Sequence, residues 1–322
     1  MSKIGKVFAL CCVILGSWLA PASAQPFPSR TVRLIVGFPP GGGVDAVARI
    51  VADKMTGLLK QPVVVENRGG AAGTIAGKQV ANSDADGYTM LVNSNSMVIS
   101  ALMNPKAGLV IERDLYAIAS VAPQAIVFVA APDLNVKSLN EMIALARTRP
   151  LNYGTPGPGS IPHLVFEQLL STAPGLQMQH VPFQGAGAAL TATVANQIDV
   201  ASVTLPPAVP LITAGKVNGL AVTGTVRSAA LPQVPTAAEA GHPSVVATVW
   251  SGFFVPPKTP KAVSDQLEQA ILQVVAMPEV KEKLASLGFE TTGTPGAQFR
   301  RELTAEIKTW AAVLQKANLI QN

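Results

Sequence analysis

The chain has 322 residues, of which 48% are hydrophobic and 13% charged. This composition excludes an intrinsically disordered protein, and the length suits two domains better than one. Lys and Arg outnumber Asp and Glu only by 24 to 19, aromatic residues make up 5%, and no basic run interleaves with aromatic side chains, so nucleic-acid binding is disfavoured.

The first 24 residues have the pattern of a Sec signal peptide. Lys3 and Lys6 precede an apolar stretch, residues 7–20, and Ala22-Ser23-Ala24 forms a small-residue cleavage signal. The alternative is a membrane anchor, but the apolar stretch is shorter than the roughly 20 residues that cross a bilayer. We predict cleavage after Ala24 and a periplasmic location. Both cysteines lie in this segment, so the exported chain has no thiol for catalysis or metal binding.

From residue 31 onward, short β-branched runs alternate with Ala-rich helical segments, which predicts an α/β fold with parallel sheets covered by helices. The predicted strands span residues 32–37, 62–66, 88–93, 125–131, 151–154, 178–183, 198–203 and 219–223, with a further apolar strand around Trp250. The predicted helices span residues 44–59, 73–82, 138–147, 160–170, 186–195, 259–275, 278–287 and 295–314. A Pro-rich turn is predicted at 205–210 and a long connection at 227–245.

Three glycine-rich segments lie between a predicted strand and the helix that follows it: residues 38–45 (FPPGGGVD), 155–160 (TPGPGS) and 184–187 (QGAG). Ligands of open α/β sheets bind beyond the carboxyl ends of the strands, where helix N-termini present free N–H groups. Glycine lets the backbone approach an anion closely. We therefore predict one shared anion site, although each segment alone is also typical of a tight turn. Asp45 is interpreted as a helix cap.

Nucleotide and metal sites are disfavoured by the same residues. Gly37 and Gly42 have P-loop spacing, but Gly43 and Val44 follow instead of Lys and Ser or Thr, and the dinucleotide fingerprint fails as well. The histidines outside the signal peptide, His163, His180 and His242, have no zinc-motif spacing. No cofactor and no metal are predicted.

Two polar segments leave alternatives open. Ser160 and His163 could form a nucleophile and base, which would make the protein a periplasmic hydrolase, but no Gly-x-Ser-x-Gly motif surrounds Ser160. We prefer Ser160 as a helix N-cap and His163 as a hydrogen-bond donor in a pocket. Ser94, Asn95 and Ser96 follow a predicted strand and form either part of a binding site or a polar turn.

Motifs along nearly the whole exported chain resemble one known family. They are the loop at 38–45, PVVVENR at 62–68, DGYT at 86–89, YGT at 153–155 with GSIPHL at 159–164, HVPFQGAG at 180–187, LAVT at 220–223, VPT at 234–236 with EAG at 239–241, and WSGFF at 250–254. In this order they are similar to the Bug/TctC family, the periplasmic solute-binding proteins of tripartite tricarboxylate transporters.

The resemblance implies a two-domain, type II-like periplasmic binding protein: two doubly wound α/β lobes with a ligand cleft between them. We expect one lobe from residues 25–125 plus 248–322 and the other from 126–247. It also implies a small-carboxylate ligand and integral membrane partners similar to TctA and TctB. With Ser94 and Thr204 added from the strand ends, the predicted ligand-binding residues are Phe38, Pro39, Pro40, Gly41, Gly42, Ser94, Gly159, Ser160, His163, Gly185, Ala186 and Thr204.

The chain departs from the family pattern at three positions. Val44 replaces a usual Thr or Ser, Gln184 stands where Lys is common, and Thr204 takes the place of a frequent Asp. Without that Asp, a ligand ammonium would lack its partner, so an amino acid is disfavoured. A di- or tricarboxylate, or an aromatic carboxylate such as terephthalate, is expected instead. A ligand sensor for a membrane kinase remains an alternative to transport.

Overall fold

The computed structural model describes residues 27–316 and residue 320, so the predicted signal peptide lies outside the described residues. The strands are β1 (Val32–Val36), β2 (Val63–Asn67), β3 (Thr89–Asn93), β4 (Tyr116–Ala130), β5 (Leu151–Thr155), β6 (Met178–Pro182), β7 (Val200–Thr204), β8 (Asn218–Val222), β9 (Thr248–Val255) and β10 (Gly293–Pro295). The helices are α1 (Gly43–Leu59), α2 (Thr74–Ala81), α3 (Asn95–Met103), α4 (Ile111–Asp114), α5 (Leu139–Thr148), α6 (Ile161–Thr172), α7 (Ala186–Val194), α8 (Leu205–Thr213), α9 (Lys261–Ala276), α10 (Pro278–Ser286) and α11 (Gly296–Lys316). None of the described helices is long and apolar enough to cross a membrane.

Strand β4 belongs to two sheets. Its first part, up to Ala125, pairs with β9 and β10 in a first sheet of order β2-β1-β3-β9-β4. From Ile126 onward it pairs with β7 and β8 in a second sheet, which continues through β5 to β6. We call the parts of the molecule built on these sheets the first and the second lobe.

A bulge interrupts β4 just before the strand passes from one sheet to the other. Its pairing with β9 shifts register between Val121 and Gln124, and Ala122 has a φ of 49°. Extra residues of this kind bend a strand and increase its local twist. Pro123 follows directly and lacks the N–H that a regular ladder would need at this point. The bend turns the second sheet away from the first and leaves a cleft between them.

Helices cover both faces of each sheet. In the first lobe, α1 and α9 pack on one face, and α2, α3 and α11 on the other. In α1 the buried side chains Val47, Val51 and Met55 follow each other at intervals of four residues, the spacing of one helical face. Burying each such side chain contributes about 1.5–3 kcal/mol. In the second lobe, α5 and α6 cover one face and α7 and α8 the other.

The predicted α/β fold is confirmed, with parallel strands β1 to β3 and β5 to β7 next to antiparallel β4 and β9. Three details of the prediction are wrong. The predicted strand 125–131 is only the end of the fifteen-residue β4, and a helix, α3, follows β3. The predicted Pro-rich turn 205–210 is the start of helix α8, because prolines in the first helical turn need no N–H partner. The predicted lobe boundaries stay a prediction.

Candidate functional site

The N-termini of five helices converge on one cavity in the cleft. The first lobe contributes the starts of α1 and α3, and the second lobe contributes those of α6, α7 and α8. Each N-terminus carries a partial positive charge, so together they favour a bound anion. The first N–H groups of α6 are not free for a ligand, because Ile161 donates to Ser96, Pro162 has no N–H and His163 donates to Ser160. The cavity has a volume of about 60 Å³. Its lining, within the described residues, contains no ionisable side chain.

Nine of the twelve predicted ligand-binding residues line this cavity: Phe38, Pro39, Pro40, Gly42, Ser94, Ser160, Gly185, Ala186 and Thr204. The structure places the other three elsewhere. Gly41 borders a separate surface cavity beside α7 and α8. Gly159 faces the sulfur of Met103, and the ring of His163 stacks on that of His180 with centroids 4.3 Å apart. The ligand-binding role of all twelve stays a prediction.

Two of the five helices begin at a glycine, and no side chain caps either of them. The N-cap of α1 is Gly42, and that of α7 is Gly185, whose φ of 107° suits only glycine. The first N–H groups of both helices are therefore open to a ligand. Thr204 is the N-cap of α8, and its hydroxyl does not cap the helix either. These three positions supply main-chain donors and one hydroxyl from both lobes.

A buried carboxylate holds the first glycine-rich loop in place. Asp45, which is 4% exposed, accepts hydrogen bonds from Gly41 N at 3.0 Å, from the Arg49 guanidinium at 3.0 Å and from Asn67 Nδ2 at 2.8 Å. Asn67 Nδ2 also donates to the carbonyl of Phe38. Asp45 is thus not the helix cap that the sequence predicted; it lies three residues inside the cap and reaches back to the loop.

The pKa of Asp45 follows from these contacts. Burial alone would raise it, but the hydrogen bonds from Arg49, Gly41 and Asn67 and the charge of Arg49 outweigh burial, and the pKa lies below its ordinary value. Asp45 is therefore charged at neutral pH, and its charge is compensated inside the loop rather than in the cavity.

Ser160 and His163 do not form the pair that a hydrolase would need. The Ser160 hydroxyl donates to the carbonyl of Gly157 at 2.7 Å and caps α6 by accepting from the N–H of His163. The ring of His163 instead accepts from Gly159 N through Nδ1 at 3.2 Å. A general base must lie within hydrogen-bond reach of the proton it removes, and here both groups are committed to the loop. The predicted N-cap role of Ser160 is confirmed.

His163 belongs to a small cluster behind the loop at 157–160. Its Nε2 lies 3.7 Å from a carboxylate oxygen of Glu167, which also accepts from the Tyr153 hydroxyl. His180 stacks on His163 and lies 2.7 Å from the Thr155 hydroxyl. Burial lowers the pKa of His163, and the charge of Glu167 raises this pKa by a smaller amount. Burial also lowers the pKa of His180, and the nearby His163 lowers it further by a smaller amount. Both rings are neutral at pH 7.

Direct contacts join the two lobes around the cavity. The hydroxyl of Ser96, at the start of α3, accepts a hydrogen bond from the N–H of Ile161, the first residue of α6, at 3.2 Å. The ring of Pro39 lies against Gly185, where an added Cβ would be 3.6 Å away from it. The structure is therefore a closed arrangement, with both lobes in contact at the cavity wall.

Gln124 lies beneath the start of α1. It is completely buried, and neither atom of its amide finds a hydrogen-bond partner within the described residues. The amide is packed against Gly43, where a Cβ would come within 2.0 Å of Oε1. Gly43 itself lines the cavity. The loop thus needs glycine at this position because of a side chain from the strand that joins the lobes.

A second, larger cavity of about 280 Å³ adjoins the first. The two share Phe38, Pro39, Pro156, Ser160, Gln184 and Gly185. The larger one extends to residues 70–72 of the first lobe and to Pro182 and Phe183 of the second. We call the smaller one the inner cavity and the larger one the outer cavity. No group of three or more His, Cys, Asp or Glu in the described part of the chain is placed to hold a metal ion.

Sequence reasoning missed several residues of the inner cavity. Pro156, Pro162 and Gly187 lie within or beside the predicted glycine-rich segments. Their position next to predicted binding residues in the sequence could have identified them. Val249 had no such signal, because its position at the cavity depends on the pairing of β9 with β4, in which it lies opposite Gln124.

Most of the chain is similar in sequence to known proteins. A sequence model of the tripartite tricarboxylate transporter family receptor, TctC, matches residues 47–319. Protein BugT of Bordetella pertussis is 32% identical over 301 residues, which are 92% of this chain and 92% of BugT.

Solved structures agree in fold as well as in sequence. The periplasmic binding protein BugD is 28% identical with a TM-score of 0.87, covering 92% of this chain and 100% of BugD. A protein of R. palustris solved with adipate is 30% identical, with a TM-score of 0.86 and coverage of 91% and 98%. MatC from Rhodopseudomonas palustris with bound malate is also 30% identical, with a TM-score of 0.81 and coverage of 89% and 100%. The chain therefore belongs to the TctC family, the Bug-type periplasmic solute-binding proteins that serve as receptors of tripartite tricarboxylate transporters.

Proposed function

We propose that the protein captures a small carboxylate in the periplasm and delivers it to integral membrane subunits of the TctA and TctB kind. The observation that carries this proposal is the convergence of five helix N-termini, from both lobes, on a cavity without ionisable side chains. A carboxylate would accept hydrogen bonds from the first N–H groups of α1 and α7 and from the Thr204 hydroxyl.

Ligand capture would couple to closure because the donors lie on different lobes. Gly42 is on the first lobe and Gly185 on the second, so only the closed arrangement brings both to one carboxylate. A ligand that contacts both lobes binds the closed state more tightly and shifts the equilibrium toward it. The malate and adipate bound to two relatives support a small dicarboxylate as the ligand. A tricarboxylate, or an aromatic carboxylate such as terephthalate, is included in the proposal as a further candidate.

To test this, the exported protein is titrated with acetate, malate, adipate, citrate, benzoate and terephthalate. Calorimetry and thermal unfolding measure the binding of each ligand. A ligand present at 100 times its dissociation constant should stabilise the protein by about 2.7 kcal/mol. Scattering should show a more compact particle with that ligand. If none of the six changes heat, unfolding temperature or compactness, carboxylate capture is wrong.

A pair of glycine variants makes the test specific for the inner cavity. Gly42 lines the cavity, and a methyl carbon added there has no neighbouring atom within 4 Å. In Gly42→Ala the fold should therefore persist, while ligand binding weakens about tenfold or more. Gly57→Ala lies later in the same helix, also in open space, and outside the cavity lining. It should leave the dissociation constant unchanged. Equal effects of the two variants would contradict the assignment of the cavity.

A further inference from the structure

We propose that the outer cavity holds the body of the ligand and selects a flat, apolar one, such as the ring of an aromatic carboxylate, over a short hydroxylated di- or tricarboxylate. This inference rests on the proposed function, because it takes the carboxylate in the inner cavity as its starting point. The two cavities share six residues, so a molecule anchored in the inner one extends into the outer one.

Six of the fourteen residues that line the outer cavity have rings. Two phenylalanines and four prolines line it: Phe38, Phe183, Pro39, Pro156, Pro158 and Pro182. Proline has no N–H, so four of these six residues offer no main-chain donor to a ligand. Within the described residues, no ionisable side chain lines this cavity either. The polar side chains of the lining are those of Ser160 and Gln184, which also line the inner cavity. A ligand hydroxyl or carboxylate placed among the rings, away from these two side chains, would lose water without gaining an equivalent partner.

The two phenylalanines stand on opposite lobes and are fixed from behind. Phe38 packs on the core beneath α1, and Phe183 on the core beneath α7 and α8. The Phe183 ring lies so close to Gly154 that an added Cβ there would be 2.9 Å from it. Rings held in this way give a flat ligand stacking surfaces at little cost in side-chain entropy.

Residues 70–72 form another part of the wall of the outer cavity. Ala71 and Ala72 have φ values of 47° and 50°, an unusual conformation for residues other than glycine. The carbonyl of Gly70 accepts from the N–H of Gly73, and that of Ala71 accepts from the N–H of Thr74 and from the Ser100 hydroxyl. These two carbonyls are thus engaged within the first lobe, and this part of the wall carries the small apolar side chains of Ala71 and Ala72.

The proposal predicts an order of affinities that calorimetry on the exported protein can measure. Benzoate should bind at least tenfold more tightly than malate and citrate. These two ligands carry a hydroxyl group and at least one further carboxylate, which is separated from the anchored carboxylate by only two or three carbon atoms. Adipate, with its four methylene groups, should fall between them. Tighter binding of malate or citrate than of benzoate overturns this proposal while leaving carboxylate capture standing. If none of the four binds, this proposal is overturned, and carboxylate capture itself fails when acetate and terephthalate do not bind either.

Variants at Phe183 separate stacking from general packing. Phe183→Ala should weaken benzoate about tenfold and adipate less than threefold, because a flexible chain does not stack on the ring. Phe183→Leu preserves apolar volume and should keep the protein folded, yet it should still weaken benzoate relative to adipate. Val226→Ala, at a side chain that is 76% exposed, is the matched control and should change neither. A benzoate affinity within twofold of wild type in both Phe183 variants overturns the proposal.

Discussion

The hydroxyl of Ser96 accepts a hydrogen bond from the N–H of Ile161 across the cleft, at 3.2 Å. Ser96 stands on α3 of the first lobe, and Ile161 begins α6 of the second. Ser96 also lines the inner cavity, so this bond closes the wall beside the predicted carboxylate site.

Removing this bond should favour the open state. Ser96→Ala loses one hydrogen bond, which contributes about 0.5–1.5 kcal/mol, so the affinity for the tightest-binding carboxylate should fall about two- to tenfold. Scattering should show a less compact particle without ligand. Ser286→Ala, which removes an exposed hydroxyl that bonds only within its own helix region, is the control. An unchanged affinity in Ser96→Ala would argue against this contact as part of closure.

The close packing of Gly43 against Gln124 leads to a rescue experiment. Gly43→Ala would place a methyl group 2.0 Å from Gln124 Oε1, which should lower the free energy of unfolding by about 1–3 kcal/mol. Adding Gln124→Ala removes the clashing amide and should restore most of that loss. Denaturant unfolding of both single variants and the double variant measures the coupling. Additive effects would contradict the contact.

The carboxylate of Asp45 should give the protein an acid-sensitive contribution to stability. Its folded-state pKa is lower than its ordinary value, so the contribution is complete above about pH 4 and is lost as the pH falls through the folded-state pKa. Asp45→Asn should therefore reduce the free energy of unfolding by about 1–3 kcal/mol at pH 7. The difference from wild type should shrink below pH 4. A constant difference across that range would contradict this account.

His163 should make stability depend on pH in a second, higher window. Its pKa is lowered in the folded state, so its contribution is complete above about pH 6.5 and decreases as the pH falls through the folded-state value. Protonation at Nδ1 would remove the acceptor for Gly159 N; burial opposes this protonation, and the charge of Glu167 assists it.

The role of His163 is tested by a variant that keeps a hydrogen-bond acceptor for Gly159 N but has no group that titrates in this range. In His163→Asn, the amide oxygen replaces Nδ1 as the acceptor for Gly159 N. Thermal unfolding between pH 5 and 8 should show a smaller loss at low pH for this variant than for wild type. His242→Asn controls for a histidine whose pKa burial also lowers but that lies in the connection between β8 and β9 rather than in the cluster behind the loop at 157–160. Identical pH profiles of His163→Asn and wild type would exclude His163 as the group responsible.

The glycine-rich loops were predictable because ligands of α/β proteins bind beyond the carboxyl ends of parallel strands, where the next helix begins. Gly42 and Gly185 each come directly before a helix in the sequence, but they follow strands of different lobes, and strands β9 and β4 between these strands are antiparallel. Their meeting at one cavity therefore depends on how the two lobes face each other, which the sequence pattern does not contain. The direction of a side chain at a helix start is not encoded in this way. His163 follows the N-cap Ser160 by three residues, a position that points back at the loop, so its ring meets Gly159 rather than the inner cavity.

Contacts made through strand pairing were beyond the reach of sequence patterns. Gln124 and Val249 are separated by more than a hundred residues, and only the antiparallel register of β4 and β9 places them side by side. The prolines at 205–210 predicted a turn, although the structure has the start of helix α8 there. Proline favours both turns and the first turn of a helix, so the sequence does not distinguish the two.

The shared strand β4 limits where the chain can be reconnected. Because its fifteen residues hydrogen-bond to both sheets, a break near Ala122 would interrupt the strand that the two sheets share. Circular permutation, in which the natural ends are joined and new ones opened, should therefore fail within β4. It should succeed near Thr225 and Val226, where the connection between β8 and β9 is exposed and belongs to no strand. A fluorescent reporter domain inserted there would leave the strand common to both sheets intact.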